Sequence, residues 1–394
     1  MKIGRTLPPA AAPCGWLDLW HGAAGALRPN RSLQARISEL RQEFGVAHVF
    51  PVSSGTAALK LTLTALASLS DASEVVIPAY TCFSVPAAVV HAGLRPVLCD
   101  IVDSTFDFDH ALLPQTLTRQ TLCVIAHHLF GIPSDIERTR AMCHSQGIFV
   151  VEDAAQALGV RRDGRPLGTL GDVGIFSFGR GKNVTCGSGG VVVTNSVRIA
   201  EAVEAHYRHL PSPRWWETIR DFVSTSLMMM FIRPRLYWIP AALPFLRLGT
   251  TVFPRNVVVK RLSGFKAGLL RNWRSHLSRS NEARSAIAED LRRRVPALAT
   301  DGVSVPLLRL PVLAADCEEK ARIYLSSKKR GLGLSPAYPT ALNEVPDIRA
   351  ELDNRRFPSA AKIASQLLTV PTHHWLVEED KRAIAELCRE FRSA

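Results

Sequence analysis

Lys182 is the single lysine of a glycine-dense bend that covers residues 179–190. Residues 175–178 before the bend and 191–194 after it are apolar, and both segments are predicted to be short buried strands. Glycine lets a backbone approach a ligand closely, and burial between apolar strands makes a lysine amine more nucleophilic. Such an amine forms Schiff bases with carbonyl compounds. The alternative is a plain hairpin whose lysine points to solvent.

Two further polar groups follow predicted strands. Residues 53–56, Ser-Ser-Gly-Thr, join a strand at 48–52 to an alanine- and leucine-rich helix. This geometry presents backbone N–H groups to an anion, although Ser54 or Thr56 would equally serve as a helix N-cap. Asp153 follows a strand at 148–151, and a buried aspartate needs a cationic or hydrogen-bonding partner. A pyridinium nitrogen is one such partner, and a helix N-cap is the alternative role.

The elements that must position these groups alternate regularly. Strands are predicted at 48–52, 74–78, 96–100, 122–126 and 148–151, and helices at 33–44, 57–69, 84–91 and 134–146. This alternation of strands and helices predicts an α/β fold in which helices flank a mainly parallel sheet. Ligands of such sheets bind at the carboxyl ends of the strands, where Ser54, His128, Asp153 and Ser177 all fall.

The rest of the chain suggests two domains. Residues 1–30 are predicted to form an irregular arm, and residues 256–295 a long basic helix. We expect a large domain at 1–255 and a smaller C-terminal α+β domain at 256–394. Within the smaller domain, a strand is predicted at 303–313 and helices at 317–329 and 378–391. Tyr338, His373 and His374 are candidates for the substrate side.

Composition narrows the function classes. The 394 residues carry a net charge of +13, with 47% hydrophobic and 21% charged residues. The positive charge is spread along the chain without a nucleic-acid motif, which favours phosphorylated small molecules or a membrane surface over DNA and RNA. Eight cysteines without a CxxC pair indicate reduced thiols in a cytoplasmic protein, and no metal site is predicted. No apolar signal-peptide segment is predicted at the N-terminus.

Residues 221–254 form the most apolar stretch of the sequence. Arginines and prolines interrupt it, so a membrane-spanning helix is not expected. Tryptophan and tyrosine beside arginine are typical of a segment that lies on anionic lipid. The favoured alternative is a packed hairpin buried between domains or in a dimer.

Five sequence motifs together resemble the DegT/DnrJ/StrS family of sugar aminotransferases, which are fold-type I enzymes that use pyridoxal phosphate. The resemblance covers roughly residues 33–194 and, more loosely, the C-terminal part. The motifs are Ser-Ser-Gly-Thr-Ala-Ala-Leu at 53–59, Val-Ile-Pro-Ala-Tyr-Thr at 76–81, His-Leu-Phe-Gly at 128–131 with Pro133 and Asp135, Glu-Asp-Ala-Ala-Gln-Ala at 152–157, and the segment from Gly171 through Lys182 to Gly190.

The resemblance implies a role for each motif. Lys182 would form the Schiff base and move the proton, Asp153 would pair with the pyridine nitrogen, and Gln156 would contact the O3′ side of the ring. The phosphate would be held by Gly55, Thr56 and Ser177. The family usually has an aromatic residue over the ring at the position of Cys82, so Tyr80, or alternatively Phe83, would contact the ring here.

Two other positions depart from the family pattern. Ser188 replaces a glutamate, and Val259 replaces an asparagine in a segment that reaches the partner subunit. The resemblance therefore implies that cofactor binding is kept, while substrate recognition and the contact between subunits are changed.

Two hypotheses follow. The first is a cytoplasmic homodimeric aminotransferase that transfers an amino group from an amino acid, such as glutamate, to a nucleotide-linked keto-sugar in polysaccharide or secondary-metabolite synthesis. The second is a regulatory or scaffold protein of the same fold without transaminase activity, bound peripherally to a membrane through residues 221–254. Lys182 argues against the second hypothesis, because a scaffold has no need of this lysine.

Overall fold

The computed structural model describes residues 2–246, 249, 251–295, 305–352 and 355–390. The strands in chain order are β1 (His48–Val52), β2 (Glu74–Pro78), β3 (Arg95–Cys99), β4 (Thr121–His127), β5 (Phe149–Asp153), β6 (Arg161–Arg162), β7 (Arg165–Pro166), β8 (Val173–Ser177), β9 (Gly190–Thr194), β10 (Arg309–Leu313) and β11 (Leu367–Pro371). The helices are α1 (Trp16–Leu27), α2 (Pro29–Phe44), α3 (Gly55–Ala67), α4 (Ser84–His91), α5 (Leu113–Thr116), α6 (Ile136–His144), α7 (Val197–Tyr207), α8 (Trp215–Phe231), α9 (Pro234–Ala241), α10 (Gly264–Leu269), α11 (Trp273–Arg292), α12 (Cys317–Arg330), α13 (Pro358–Gln366) and α14 (Glu378–Glu390).

A seven-stranded sheet forms the centre of the protein, in the order β1-β9-β8-β5-β4-β2-β3. Strands β3, β2, β4, β5 and β8 run parallel, whereas β9 is antiparallel to β8 and β1 is antiparallel to β9. The strands are rich in valine and isoleucine and are buried because helices cover both faces. The predicted α/β fold with a mainly parallel sheet is confirmed.

The C-terminal elements pack around a second, two-stranded antiparallel sheet of β10 and β11. The helices predicted at 317–329 and 378–391 correspond to α12 and α14, and residue 391 lies outside the described residues. The strand predicted at 303–313 begins at Arg309, and residues 303 and 304 also lie outside the described residues. The domain boundary between residues 255 and 256 stays a prediction.

The predicted irregular arm at residues 1–30 is wrong, because α1 and the start of α2 lie there. Glycines of α1 and α10 are packing residues. A Cβ atom at Gly25 would collide with the backbone of Gly264, and one at Gly268 would collide with the backbone of His21. These glycines let α1 and α10 cross in close contact.

The predicted long helix at 256–295 is also wrong in its first part. Residues before α10 run extended beside β1, where Ser53 N–H donates to Lys260 O (2.9 Å) and Leu262 N–H donates to Pro51 O (3.3 Å). The chain then forms α10, turns at residues 270–272, and continues as α11. Pairing with the chain around β1 therefore overrides the helical preference of this segment.

The apolar segment at 221–254 contributes to two packed helices, α8 and α9. Residues spaced four apart on α8, namely Glu217, Asp221, Thr225 and Met229, face the protein and are buried or nearly so. Exposed apolar side chains occupy the other side, including Trp215, Ile219, Val223 and Leu227. No helix in the described part of the chain is long and apolar enough to cross a membrane. The inner face of α8 packs against the protein, whereas burial of the segment between domains or in a dimer, and lipid contact of the outer face, stay predictions.

Candidate active site

The predicted site residues gather at the carboxyl edge of the central sheet. Asp153 ends β5 and Ser177 ends the neighbouring strand β8. Lys182 follows Ser177 through a tight turn, in which the Lys182 N–H donates to Gly179 O at 3.3 Å. Gly181 has a φ of 75° in this turn, a conformation that favours glycine. The bend therefore directs the lysine back toward the end of β5.

Lys182 lines a cavity of about 200 Å³. The other lining residues are Phe130, Gln156, Arg180, Gly181, Gly249, Thr251, Leu308, Arg309, Ser335, Ala337 and Tyr338. Burial lowers the pKa of the Lys182 amine, and the nearby Cys82 and Asp153 only partly oppose this effect. The alternative of a hairpin lysine that points to solvent is wrong. An amine with a lowered pKa is more often uncharged and therefore nucleophilic.

One carboxylate oxygen of Asp153 is available to accept a hydrogen bond from a ligand. Its Oδ1 accepts a hydrogen bond from Ala155 N–H at 3.0 Å, which is a local turn and not the N-cap of a regular helix. Its Oδ2 accepts no hydrogen bond from any residue that the structure describes. The carboxylate is close enough to Lys182 to act on the pKa of the amine.

A buried histidine that the sequence analysis did not select lies beside Asp153. His127 is paired with Asp153 in the register of β4 and β5. The Nε2–H of His127 donates to Phe106 O (2.8 Å), so Nδ1 accepts from the Thr81 hydroxyl (2.8 Å). Burial lowers the pKa of His127. The imidazole is therefore neutral and does not itself compensate the charge of Asp153.

The turn before α3 forms an anion cradle with Ser177. Ser54 is the N-cap of α3, since its Oγ accepts from Ala57 N–H (3.0 Å). Gly55 faces Ser177 so closely that an added Cβ would lie 2.8 Å from the Ser177 Cβ and 3.0 Å from its Oγ. The first N–H groups of a helix carry partial positive charge. With the Ser177 hydroxyl, the backbone N–H groups of the first turn, which includes Thr56, form a donor set that suits a phosphate.

Gln156 and Tyr80 both connect the sheet to Tyr338 in the C-terminal part. The Gln156 side chain donates to the Tyr338 hydroxyl (3.0 Å) and accepts from Phe130 N–H (3.2 Å). The Tyr80 hydroxyl donates to Tyr338 O (3.2 Å) and accepts from Tyr338 N–H (3.3 Å). Burial raises the pKa of Tyr80.

The prediction that Tyr80 contacts the cofactor ring needs correction. Its side chain is fully enclosed and does not line the cavity. Tyr80 instead positions Tyr338, which does line it. The alternative stacking residue, Phe83, is also buried and lies against Tyr338, with 6.5 Å between ring centroids. Cys82, at the position that is usually aromatic, acts on the pKa of both Lys182 and Tyr338 and so lies near both.

Glu152 and His128 form a buried support that the sequence analysis did not recognise. The Glu152 carboxylate accepts from His128 Nε2–H (2.9 Å) and Gly168 N–H (2.7 Å), and also from the N–H groups of Leu170 and Gly171. Both side chains are completely buried. Because side chains alternate along β5, this support fixes Asp153 on the opposite face. His128 therefore has a structural role.

Ser188, where the family has a glutamate, is connected to a carboxylate of α8. The Lys266 ammonium donates to the Ser188 hydroxyl (2.9 Å) and forms an ion pair with Asp221 (3.0 Å). Thr225, one turn further along α8, lies against Gly187. The inner face of α8 therefore covers the loop that follows Lys182.

These groups fit pyridoxal 5′-phosphate. The cradle at Gly55, Thr56 and Ser177 offers donors to a phosphate, Asp153 offers an acceptor to a protonated pyridine nitrogen, and Lys182 offers an amine to the aldehyde. A mainly parallel α/β sheet with such groups at its carboxyl edge defines the fold-type I class of pyridoxal phosphate enzymes.

The family follows from comparison with known proteins. Residues 37–389 match the model of the DegT/DnrJ/EryC1/StrS aminotransferase family. The chain belongs to this family. Its members are aminotransferases that use pyridoxal phosphate.

Individual relatives agree with this assignment. The chain is 35% identical over 189 residues to a UDP-N-acetyl-3-dehydro-alpha-D-glucosamine 3-aminotransferase of Acidithiobacillus ferrooxidans, a match that spans 48% of this chain and 49% of the relative. It is 27% identical over 352 residues to the dTDP-3-amino-3,4,6-trideoxy-alpha-D-glucose transaminase of Streptomyces venezuelae, with 87% and 83% covered. The structure of Helicobacter pylori PseC, an aminotransferase of pseudoaminic acid biosynthesis, shares the fold with a TM-score of 0.79 at 18% identity and covers 99% of this chain and 100% of that chain.

Proposed function

We propose that this protein transfers an amino group from an amino acid to a keto-sugar, with pyridoxal phosphate bound at the carboxyl edge of the sheet. The observation that carries the proposal is the desolvated Lys182 amine beside Asp153. A nucleotide-linked sugar is proposed because relatives act on UDP- and dTDP-linked sugars and because the net charge of +13 suits a phosphorylated substrate. Glutamate is the proposed donor, and a homodimer the proposed assembly.

Each side chain of the site has a defined task in this reaction. The cofactor, when bound, supplies an electron sink that stabilises negative charge at the substrate carbon. Asp153 would accept a hydrogen bond from the pyridine nitrogen and favour its protonated form. Lys182 would hold the cofactor through its aldehyde, and its amine would move the proton at the reacting carbon. Gln156 and Tyr338 form one wall of the cavity. The hydrogen bond between them keeps the Gln156 side chain oriented toward the cavity.

The test is spectroscopic and kinetic. Purified protein with pyridoxal phosphate is expected to show a visible absorbance band that is absent from Lys182→Ala, and glutamate is expected to bleach or shift this band. Turnover of a keto-sugar nucleotide is expected to fall by roughly 10²–10⁴-fold in Lys182→Ala, the usual contribution of a general acid–base group. Lys60→Ala, a partly exposed lysine of α3, is the control for an unspecific effect. A wild-type protein without the band would refute the proposal.

A further inference from the structure

The cavity beside Lys182 carries an uncompensated positive charge. The cations Arg180 and Arg309 line it beside the Lys182 amine, and none of its described lining residues is acidic. Asp153 is the carboxylate that acts on Lys182, and it is reserved for the cofactor nitrogen in the proposed function. The cavity therefore presents more cationic than anionic groups to a substrate.

Arg309 is the most informative of these cations. It is the first residue of β10, in register with Pro371 at the end of β11, so its backbone position is set by the small sheet. Arg309 is half-buried, and burial lowers the pKa of the guanidinium, opposed by Tyr338 and Tyr237. Within the described part of the chain, Arg309 forms no ion pair and its side chain forms no hydrogen bond. Its guanidinium lines the cavity, so its N–H donors are available to a ligand there.

The neighbouring Arg284 shows the structural alternative. Its guanidinium is completely buried, and it donates to Leu308 O (2.8 Å), Ala11 O (2.7 Å) and the hydroxyl of Thr372 (3.1 Å). Burial and the charge of Arg309 lower the pKa of Arg284 to about 9. Arg284 thus connects three segments of the chain and has its donors occupied. Arg309 lies in the same positive region but directs its donors toward the cavity.

We propose that Arg309 binds an anionic oxygen group of the substrate, either a carboxylate or a phosphate, through a pair of N–H donors. This inference rests on the proposed function, because it makes Arg309 the residue that places the substrate opposite Lys182. The planar fork of a guanidinium matches both groups in a bidentate manner. A carboxylate would belong to the amino-acid donor, and a phosphate to the sugar nucleotide.

Binding of two unreactive probes tests the proposal and distinguishes the sources. Glutarate is a dicarboxylate without an amine, and UDP is a diphosphate without a sugar. Calorimetry would measure both on the pyridoxal phosphate-loaded wild type, on Arg309→Gln, on Arg309→Lys and on the control Arg41→Gln, which changes an exposed arginine of α2. Arg309→Gln is expected to weaken one probe by roughly 10–100-fold, the usual effect of losing a charge-assisted pair of hydrogen bonds. A smaller loss is expected in Arg309→Lys, and none in Arg41→Gln.

The melting temperature separates a ligand-binding arginine from a structural one. Arg309→Gln is expected to melt at or above the wild-type temperature, because no internal partner is lost, whereas Arg284→Gln is expected to melt lower. If Arg309→Gln weakens glutarate binding, Arg309 binds the carboxylate of the donor. If it weakens UDP binding, Arg309 binds the phosphate of the sugar nucleotide.

Three results would overturn the inference: unchanged binding of both probes in Arg309→Gln, binding of neither probe by the wild type, or a melting temperature that falls as far as in Arg284→Gln. Failure of the proposed function would show separately, as the absence of the Lys182-dependent absorbance band from the wild type.

Discussion

The sheet edge and the opposite wall of the cavity are built in different ways. Lys182, Asp153 and Ser177 lie at the ends of adjacent strands, and each is oriented by hydrogen bonds of its own strand or turn. On the wall, Tyr338 and Arg309 come from the C-terminal part and are positioned by contacts with distant segments. The comparison indicates that the chemistry of the cofactor depends on local backbone geometry, whereas substrate selection depends on how distant segments pack.

The largest effect on turnover is expected from a substitution at the carboxyl edge of the sheet. Asp153→Asn removes the charge that keeps the pyridine nitrogen protonated, and turnover is expected to fall roughly 10²–10³-fold, as for other lost electrostatic contacts in active sites. Steady-state kinetics at saturating cofactor would measure the loss. Asp163→Asn, an aspartate that is 89% exposed, is the matched control. A loss below about tenfold would show that the sheet edge does not carry the chemistry.

A smaller effect, on cofactor affinity, is expected when a side-chain atom is added in the turn before α3. Gly55→Ala places a Cβ atom 2.8 Å from the Cβ of Ser177, and such overpacking costs about 1–3 kcal/mol. The affinity for pyridoxal phosphate is expected to fall about tenfold or more, measured by fluorescence titration of the apoprotein. Gly15→Ala is the control, because its added Cβ makes only an ordinary contact at 3.8 Å with Asp18. Equal affinities in the two variants would place the phosphate elsewhere.

The ion pair that connects α8 to the lysine loop is expected to have a modest effect. Asp221→Asn leaves the Lys266 ammonium with the Ser188 hydroxyl as its partner, at a position where both charged side chains are mostly buried. We expect a loss of about 1–2 kcal/mol in the free energy of unfolding, measured in urea. Asp103→Asn breaks the exposed pair with Lys362 and is expected to cost less than about 1 kcal/mol. Similar losses for both variants would mean that α8 does not support the loop.

The smallest effect concerns the pH dependence of the apoprotein. Because burial lowers the pKa of Lys182, the unfolded chain binds more protons than the native protein between that lowered pKa and the ordinary value of 10.5. Stability therefore rises with pH in this window and is lost as the pH falls through the lowered pKa. The free energy of unfolding is expected to rise more steeply with pH in the wild type than in Lys182→Met. The difference between the two slopes is expected to be less than about 1.4 kcal/mol per pH unit, the value for one proton. Urea unfolding at several pH values would measure both slopes, and identical slopes would contradict a desolvated amine.

Much of the fold was predictable because its signals are local. The strand predicted at 74–78 and the helix predicted at 84–91 coincide with β2 and α4. The irregular arm at 1–30 and the long helix at 256–295 were predicted wrongly. In these two segments, glycines serve the contact between α1 and α10, and backbone pairing beside β1 replaces helix. Neither reason is visible in a short window of sequence.

The positions of Lys182 and Asp153 at strand ends follow from the amino-acid order alone, because a strand, a turn and their burial are set by neighbours in the chain. Only the tertiary structure decides that Tyr80 is enclosed behind Tyr338, that Asp221 pairs with the lysine bonded to Ser188, and that Arg309 faces the cavity with no ion pair among the described residues. These facts depend on which distant segments come together. The free energy of such contacts comes from burial and complementary charge across the fold, and no local pattern encodes it.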